Sequence, residues 1–194
     1  MIISHKHKYI FIKTNKTAST AVEIYLSKFC GPQDIITQIR PEDELIRQQL
    51  GYRTAQNEGG FYNHMSAQEI KDSIGPRIWN SYYKFCIERN PCERFISFYF
   101  WRNQECPRED IDKFLNIKNL TVLKNRGFDL YTIDKKIAVN KILLYEKLNF
   151  KNIPKIKTDT RIDKRAYNQI LNRAQIDIIK NFFKEEIRIC NYQI

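Results

Sequence analysis

The chain has 194 residues, of which 42% are apolar, and its 33 lysine and arginine residues against 22 acidic residues give a formal net charge of +11. This length suits one domain with a sizeable core, and the apolar fraction excludes a disordered chain. No segment approaches the roughly 18 consecutive apolar residues that span a bilayer, and the N-terminal stretch lacks the features of a signal peptide. We therefore expect a single cytoplasmic domain over residues 1–194, with no membrane span.

The positive charge indicates either an anionic ligand or a generally basic, solvated surface. Together with 13% aromatic residues, it also leaves a nucleic-acid binder open, but the aromatic run FISFYFW (95–101) is typical of core packing, so we expect no specific nucleic acid. The five cysteines are odd in number and show no CxxC spacing. Reduced structural thiols are therefore favoured over disulfides or a zinc site.

The first informative segment is YIFIKTNKTASTAVEIYLSKFCGP, residues 9–32. Its apolar start, Tyr9–Ile12, predicts a buried strand. From Ala18 the apolar residues follow helical spacing, and Gly31 and Pro32 end the helix. A basic polar loop therefore joins a strand to a helix N-terminus, where unpaired N–H groups carry a partial positive charge. Such a loop suits a phosphate-like anion. It lacks both glycines of the nucleotide-binding motif GxxxxGK followed by Ser or Thr, which disfavours an ATPase or GTPase.

The segment YYKFCIERNPCERFISFYFWR, residues 82–102, repeats this pattern. Tyr83–Ile87 predicts a strand, Asn90 is a good N-cap, and Pro91 suits the first position of a helix that runs to about Arg102. Arg89 ends the strand, and Ser97 lies two turns into the helix. Like the loop after Ile12, this second strand-to-helix junction is therefore suited to an anion.

The remaining pattern alternates strands with helices. VNKILLYEKL (139–148) predicts another buried strand. Helices are predicted in PEDELIRQQL (41–50), in SAQEIKDSIG (66–75), where Ser66 and Glu69 form a capping box, and near the C-terminus. NIPKIKTDTRIDKR (152–165) is a basic loop. The fold class is therefore α/β with a parallel sheet. Both junctions then lie at the carboxyl edge of that sheet, where ligands bind, which suggests one ligand with two phosphate groups.

NKTAST (15–20) and RNPCERFISFY (89–99) resemble the two cofactor motifs of the sulfotransferases, most closely the carbohydrate branch that includes the heparan sulfate 2-O-sulfotransferases. The resemblance implies a P-loop-like sulfotransferase fold, a single-domain parallel sheet flanked by helices. It also implies 3′-phosphoadenosine 5′-phosphosulfate (PAPS) as co-substrate and a hydroxyl-bearing acceptor, expected to be a carbohydrate. No metal is expected. The residues that the resemblance and the basic loop assign to the 5′-phosphosulfate are Lys13, Lys16, Thr17, Ala18, Ser19 and Thr20. Arg89 and Ser97 are assigned to the 3′-phosphate.

Two residues are expected to act in catalysis. Lys16 would neutralise charge on the leaving phosphate, and His64 would act as the base for the acceptor hydroxyl, since a histidine near its ordinary pKa suits that task. If His64 lies elsewhere, Glu58 or Glu23 is the next candidate. His5 and His7 are expected in a solvated tail rather than at a metal.

Two residues depart from the motifs of this family. Asn15 stands where the family usually has proline. Glu88 precedes Arg89 and is expected to point to the opposite face, because side chains alternate along a strand. On the same face as Arg89 it would repel the 3′-phosphate.

Three other functions stay open at this stage. The chain is alternatively a divergent nucleotide-binding phosphotransferase of kinase-like type, a non-catalytic ligand- or nucleic-acid-binding protein, or an inactive family member that only binds a ligand.

Overall fold

The computed structural model describes residues 1–156 and 159–194. The strands, in chain order, are β1 (Ile2–Ser4), β2 (Tyr9–Phe11), β3 (Ile35–Ile36), β4 (Tyr83–Glu88), β5 (Thr132–Ile133), β6 (Lys136–Ile137) and β7 (Lys141–Leu144). The helices are α1 (Ser19–Ser27), α2 (Pro41–Gln49), α3 (Ala67–Ile74), α4 (Pro76–Ser81), α5 (Pro91–Arg102), α6 (Ile111–Phe114), α7 (Ile117–Asn125), α8 (Tyr167–Ile170), α9 (Arg173–Phe182) and α10 (Lys184–Cys190). Short 3₁₀ turns cover Phe128–Tyr131 and Tyr145–Lys147.

The central sheet has five strands in the order β3-β1-β2-β4-β7. Strands β2, β4 and β7 run parallel, whereas β1 pairs antiparallel with both β2 and β3. Strands β5 and β6 form a separate antiparallel pair. The predicted α/β class with a parallel sheet flanked by helices is confirmed, and the antiparallel N-terminal strands are an addition that the sequence analysis did not predict.

Side chains of the parallel strands alternate between two apolar layers, as the period of a strand requires. Ile10 and Cys86 pack in a buried cluster with Ile70 of α3. Phe11 and Ile87 point the other way and pack with the side of α1. Helices therefore cover both faces of the sheet, which is why its strands are apolar on both sides.

Local signals fix the N-termini of α5, the helix of the second junction, and of α3. Asn90 accepts hydrogen bonds from the N–H groups of Cys92 and Glu93, and Pro91 occupies the first helical position, so α5 begins where the sequence predicts. Ser66 and Glu69 form the predicted capping box of α3, with both reciprocal hydrogen bonds present.

Two remaining features concern the membrane and the cysteines. No helix among residues 1–156 and 159–194 is long and apolar enough to cross a membrane. All five cysteines are free thiols, and only Cys106 is exposed.

Candidate active site

A cavity of about 580 Å³ opens where the chain leaves β2, β4 and β7. This is the edge at which the carboxyl ends of the three parallel strands meet. The sequence-predicted site residues that line it are Lys13, Lys16, Ala18, Ser19, Thr20, His64, Arg89 and Ser97. The structure thus brings both junctions and the histidine to one cavity.

The loop of the first junction has an unusual backbone. Lys16 and Ala18 adopt left-handed conformations, with φ of 64° and 59°, which residues other than glycine seldom do. Ala18 is the N-cap of α1, and no side chain in the described part of the chain caps this helix. Ala18, Ser19 and Thr20 line the cavity. The backbone N–H groups in the first turn of α1 are therefore suited to donate hydrogen bonds to an anion in the cavity.

Two hydroxyls of this loop stabilise the loop itself. The Thr17 hydroxyl is fully buried and lies 2.9 Å from the Thr14 hydroxyl, and the Ser19 hydroxyl donates to the Thr14 carbonyl oxygen. Thr17 is not among the residues that line the cavity. The Thr17 hydroxyl is therefore part of the scaffold of the loop, and the assignment of Thr17 to the 5′-phosphosulfate stays a prediction.

Lys13 also differs from its predicted role. Its side chain is 1% exposed, and its ammonium lies 2.7 Å from Glu23 Oε2, while Arg47 Nη2 lies 3.1 Å from Glu23 Oε1. Burial alone would raise the pKa of Glu23, but the charges of Lys13 and Arg47 help to hold it at about 2. Lys13 is therefore better explained as the buried partner of Glu23 than as a phosphate ligand.

The alternative bases are placed away from the cavity. Glu23 is fully buried in the ion pair with Lys13. Glu58 accepts a hydrogen bond from the Gln38 N–H at 2.6 Å. Neither residue lines the cavity, so His64 has the better position.

The second junction presents side chains to the cavity. The Arg89 guanidinium lies 4.3 Å from the Tyr145 ring centroid, and its Nη2 lies 3.2 Å from Glu93 Oε2. Its Nε is buried and has no hydrogen-bond partner among the described residues. Glu88 points away from Arg89, as expected. Its two carboxylate oxygens each accept a hydrogen bond of 2.7 Å from Arg94 Nη1. It therefore does not compete for Arg89.

His64 is held in one tautomer. Its Nδ1 lies 2.8 Å from the carbonyl oxygen of Lys13. Because a carbonyl oxygen only accepts, Nδ1 carries the hydrogen and Nε2 keeps the lone pair. Burial, and then the charge of Lys13, lower the pKa of His64 to about 4. The expectation of an ordinary histidine pKa is thus not met, and the ring is neutral near pH 7.

Several cavity residues were missed by the sequence analysis. They are Arg40, Asp43, Asn63, Trp101, Arg126, Tyr145, Phe150, Lys155, Arg161 and Lys164. A signal existed for Trp101, which follows Ser97 by four residues and therefore shares its helix face. Lys155, Arg161 and Lys164 belong to the basic loop over residues 152–165, of which residues 157 and 158 lie outside the described residues.

His5 and His7 lie apart from this cavity. His5 Nδ1 is 2.8 Å from the Tyr82 hydroxyl, and His7 Nε2 is 3.0 Å from the Phe29 carbonyl oxygen. Within residues 1–156 and 159–194, no group of three or more His, Cys, Asp or Glu side chains is arranged to hold a metal ion.

The fold and the cavity together define an α/β protein with a cavity lined by several cationic side chains at the carboxyl edge of its sheet. A family model described as the sulfotransferase family matches residues 1–126, and the chain belongs to that family. The match spans both junctions and His64, and membership supports sulfonyl transfer in general. Searches of the curated proteins and of the solved structures returned no match to the chain.

Proposed function

We propose that this protein is a PAPS-dependent sulfotransferase that transfers a sulfonate group to a hydroxyl of a carbohydrate. The observation that carries the proposal is the convergence of both strand-to-helix junctions on one cavity. A donor with two separated phosphate groups matches two anion sites at the same sheet edge.

The chemistry of the cavity fits such a donor. Its volume of about 580 Å³ suits a nucleotide-sized ligand. The cations that line it besides Lys13 are Lys16, Arg40, Arg89, Arg126, Lys155, Arg161 and Lys164, whereas Asp43 is the one acidic residue among the described lining residues. The buried Nε of Arg89, which has no hydrogen-bond partner within residues 1–156 and 159–194, is a donor that a phosphate oxygen would satisfy.

The two ends of the donor are assigned by the character of each junction. The backbone at the start of α1, with Lys16 beside it, would hold the 5′-phosphosulfate. Arg89 and Ser97 would hold the 3′-phosphate. When bound, the donor supplies the sulfonate group.

His64 and Lys16 have different roles in the transfer. His64 Nε2 accepts the proton of the acceptor hydroxyl as its oxygen bonds to sulfur. Lys16 stabilises the phosphate oxygen that keeps the electron pair when its own bond to sulfur breaks. The negative charge of the bound donor would also raise the pKa of His64 and so strengthen it as a base.

The proposal is tested by sulfonate transfer from radiolabelled PAPS to desulfated heparan sulfate and to chondroitin as probe acceptors. We expect labelled polysaccharide with the wild-type protein and a loss on the order of 100-fold with Lys16→Met. Lys28→Met, an exposed lysine just beyond α1, is the matched control. A thermal melt decides the nucleotide class: protection by 3′-phosphoadenosine 5′-phosphate (PAP) but not by ATP supports the proposal. Protection by ATP alone would favour a phosphotransferase.

A further inference from the structure

Trp101 brings together cations from different parts of the chain. It lies near the end of α5 and lines the cavity. The Lys16 ammonium is 5.1 Å from the centroid of its ring, and the Arg40 guanidinium is also 5.1 Å from it. Lys16 comes from the first junction and Arg40 from the start of α2. The ring of Trp101, on the helix of the second junction, therefore contacts Lys16, the proposed catalytic cation of the first junction.

The Trp101 ring is itself held firmly. It stacks on Phe98, with 5.9 Å between the ring centroids and an interplanar angle of 23°. Phe98 is 1% exposed and packs against Phe114 in a buried cluster. A ring supported in this way offers a fixed surface to a flexible side chain.

The ring gives the Lys16 side chain a defined surface. Its ammonium ends a four-carbon chain with several rotatable bonds, and at Lys16 that chain leaves a loop in a left-handed conformation. The negative face of an indole ring attracts an ammonium group within about 6 Å of its centroid, more strongly than a phenyl ring does. The same attraction offsets the repulsion between the charges of Lys16 and Arg40.

We propose that Trp101 is a positioning residue, which holds the Lys16 ammonium at the end of the cavity where the sulfonate is transferred. The inference rests on the proposed function. It also links the two junctions, because Ser97 and Trp101 share one face of α5. The helix that contributes to the 3′-phosphate site therefore also fixes the cation of the 5′ end.

The second tryptophan provides a matched control. Lys84 lies over the Trp79 ring at 5.2 Å from its centroid, so Trp79 makes the same kind of contact. Trp79 is buried in the core beneath the sheet and does not line the cavity. An effect on nucleotide binding that appears when Trp101 is substituted, but not when Trp79 is substituted, is therefore not a general effect of removing an indole ring.

The first test isolates the 5′-phosphate. PAP and adenosine 3′-phosphate differ only in that group, so the ratio of their Kd values measures its contribution. We expect wild type to prefer PAP, and Trp101→Leu to reduce that preference by roughly 3- to 30-fold, the range of a partly desolvated cation–π contact. Trp101→Phe should retain part of the preference, and Trp79→Phe all of it.

The second test is spectroscopic and does not depend on the leucine variant folding. The chain has two tryptophans, so Trp79→Phe leaves Trp101 as the sole indole. In that background PAP should change the Trp101 emission, and Lys16→Met should shift the unliganded emission and reduce the response to PAP. Emission that is unaffected by Lys16→Met would overturn the inference.

The outcomes separate the two proposals. If wild type binds PAP no better than adenosine 3′-phosphate, the proposed donor site is wrong, and the inference falls with it. If wild type prefers PAP and both Trp101 variants keep the full preference, the inference alone is wrong.

Discussion

The two strand-to-helix junctions share a topology but present different groups to an anion. Helix α1 begins without a side-chain cap among the described residues, and Ala18, Ser19 and Thr20 at its start line the cavity. Helix α5 begins with Asn90, whose side chain accepts hydrogen bonds from the N–H groups of Cys92 and Glu93. In the proposed donor site, the second junction would therefore rely on the side chains of Arg89 and Ser97, which line the cavity. The same strand–loop–helix unit can thus build a backbone site or a side-chain site, depending on its N-cap.

The buried charged residues behind the two junctions also differ. Glu23 faces both Lys13 and Arg47, which help to hold its pKa at about 2. Burial raises the pKa of Glu88 to about 7 despite its contact with Arg94. The negative charge of Glu186 adds to this effect of burial, and Arg94 Nη2 lies 3.7 Å from Glu186 Oε1. In the first cluster two cations face Glu23, and Arg47 also contacts Glu44 at 3.0 Å. In the second cluster a single guanidinium faces two carboxylates.

The largest expected effect is at His64, which hydrogen-bonds to the first junction. His64→Asn should lower turnover of the probe acceptor roughly 10²- to 10⁴-fold, because it removes the base. The affinity for PAP should stay within about 2-fold, because the base acts on the acceptor. His7→Asn, an exposed histidine outside the cavity, should keep full turnover. A His64→Asn variant with near-normal turnover would assign the base elsewhere.

The pH dependence follows from the same ring. Protonation of Nε2 as the pH falls through about 4 removes its lone pair, so kcat/KM for PAPS, which reports the protein before the donor binds, should decline on the acid side near that pH. This acid limb should be absent in His64→Asn. An acid limb unchanged by the substitution would show that another group controls it.

Lys16 tests the backbone character of the first junction. Lys16→Met should lower turnover on the order of 100-fold, while PAP affinity falls by a smaller factor, because the N–H groups of α1 remain. The measurement is a comparison of kcat with the Kd of PAP. An equal loss in both would mean that the lysine, rather than the backbone, holds the phosphate.

Arg89 tests the side-chain character of the second junction. Arg89→Ala should weaken PAP binding by roughly 10- to 100-fold, the effect of losing a charge-assisted hydrogen bond. Binding of 5′-AMP, which lacks the 3′-phosphate, should change little. Calorimetric titration of both nucleotides measures the difference. Unchanged PAP affinity would refute the placement of the 3′-phosphate.

The smallest effects are on stability and concern the N-caps. Asn90→Ala should lower the free energy of unfolding by about 1 kcal/mol, because two N–H groups lose their acceptor. Ala18→Gly should raise it by up to about 1 kcal/mol, because glycine adopts the left-handed conformation of Ala18 without strain. Urea unfolding measures both. Equal destabilisation by the two substitutions would contradict the difference between the caps.

The sequence predicts those parts of the fold that local signals determine. The start of helix α5 is predicted because Asn90 and Pro91 begin it through contacts with their neighbours. Strands β3, β5 and β6 have two residues each, and such strands form through pairing with distant segments, which leaves no periodic pattern to read.

Some properties of the candidate site are likewise predictable from the sequence, and others are not. Motifs predict Lys16, Arg89 and Ser97 at the cavity, because the topology of a parallel sheet brings its strand ends together. The pairing of Lys13 with Glu23 depends on how α1 packs on the sheet, and the low pKa of His64 depends on burial. Neither property is encoded in the spacing of residues along the chain.

The most direct test of the account is a crystal structure of the protein with PAP. We predict the 5′-phosphate against the backbone N–H groups at the start of α1, with Lys16 beside it. The 3′-phosphate should contact Arg89 and Ser97, and His64 should face the open position next to the 5′-phosphate. A nucleotide bound in the reverse direction, or outside the cavity between the two junctions, would contradict the account.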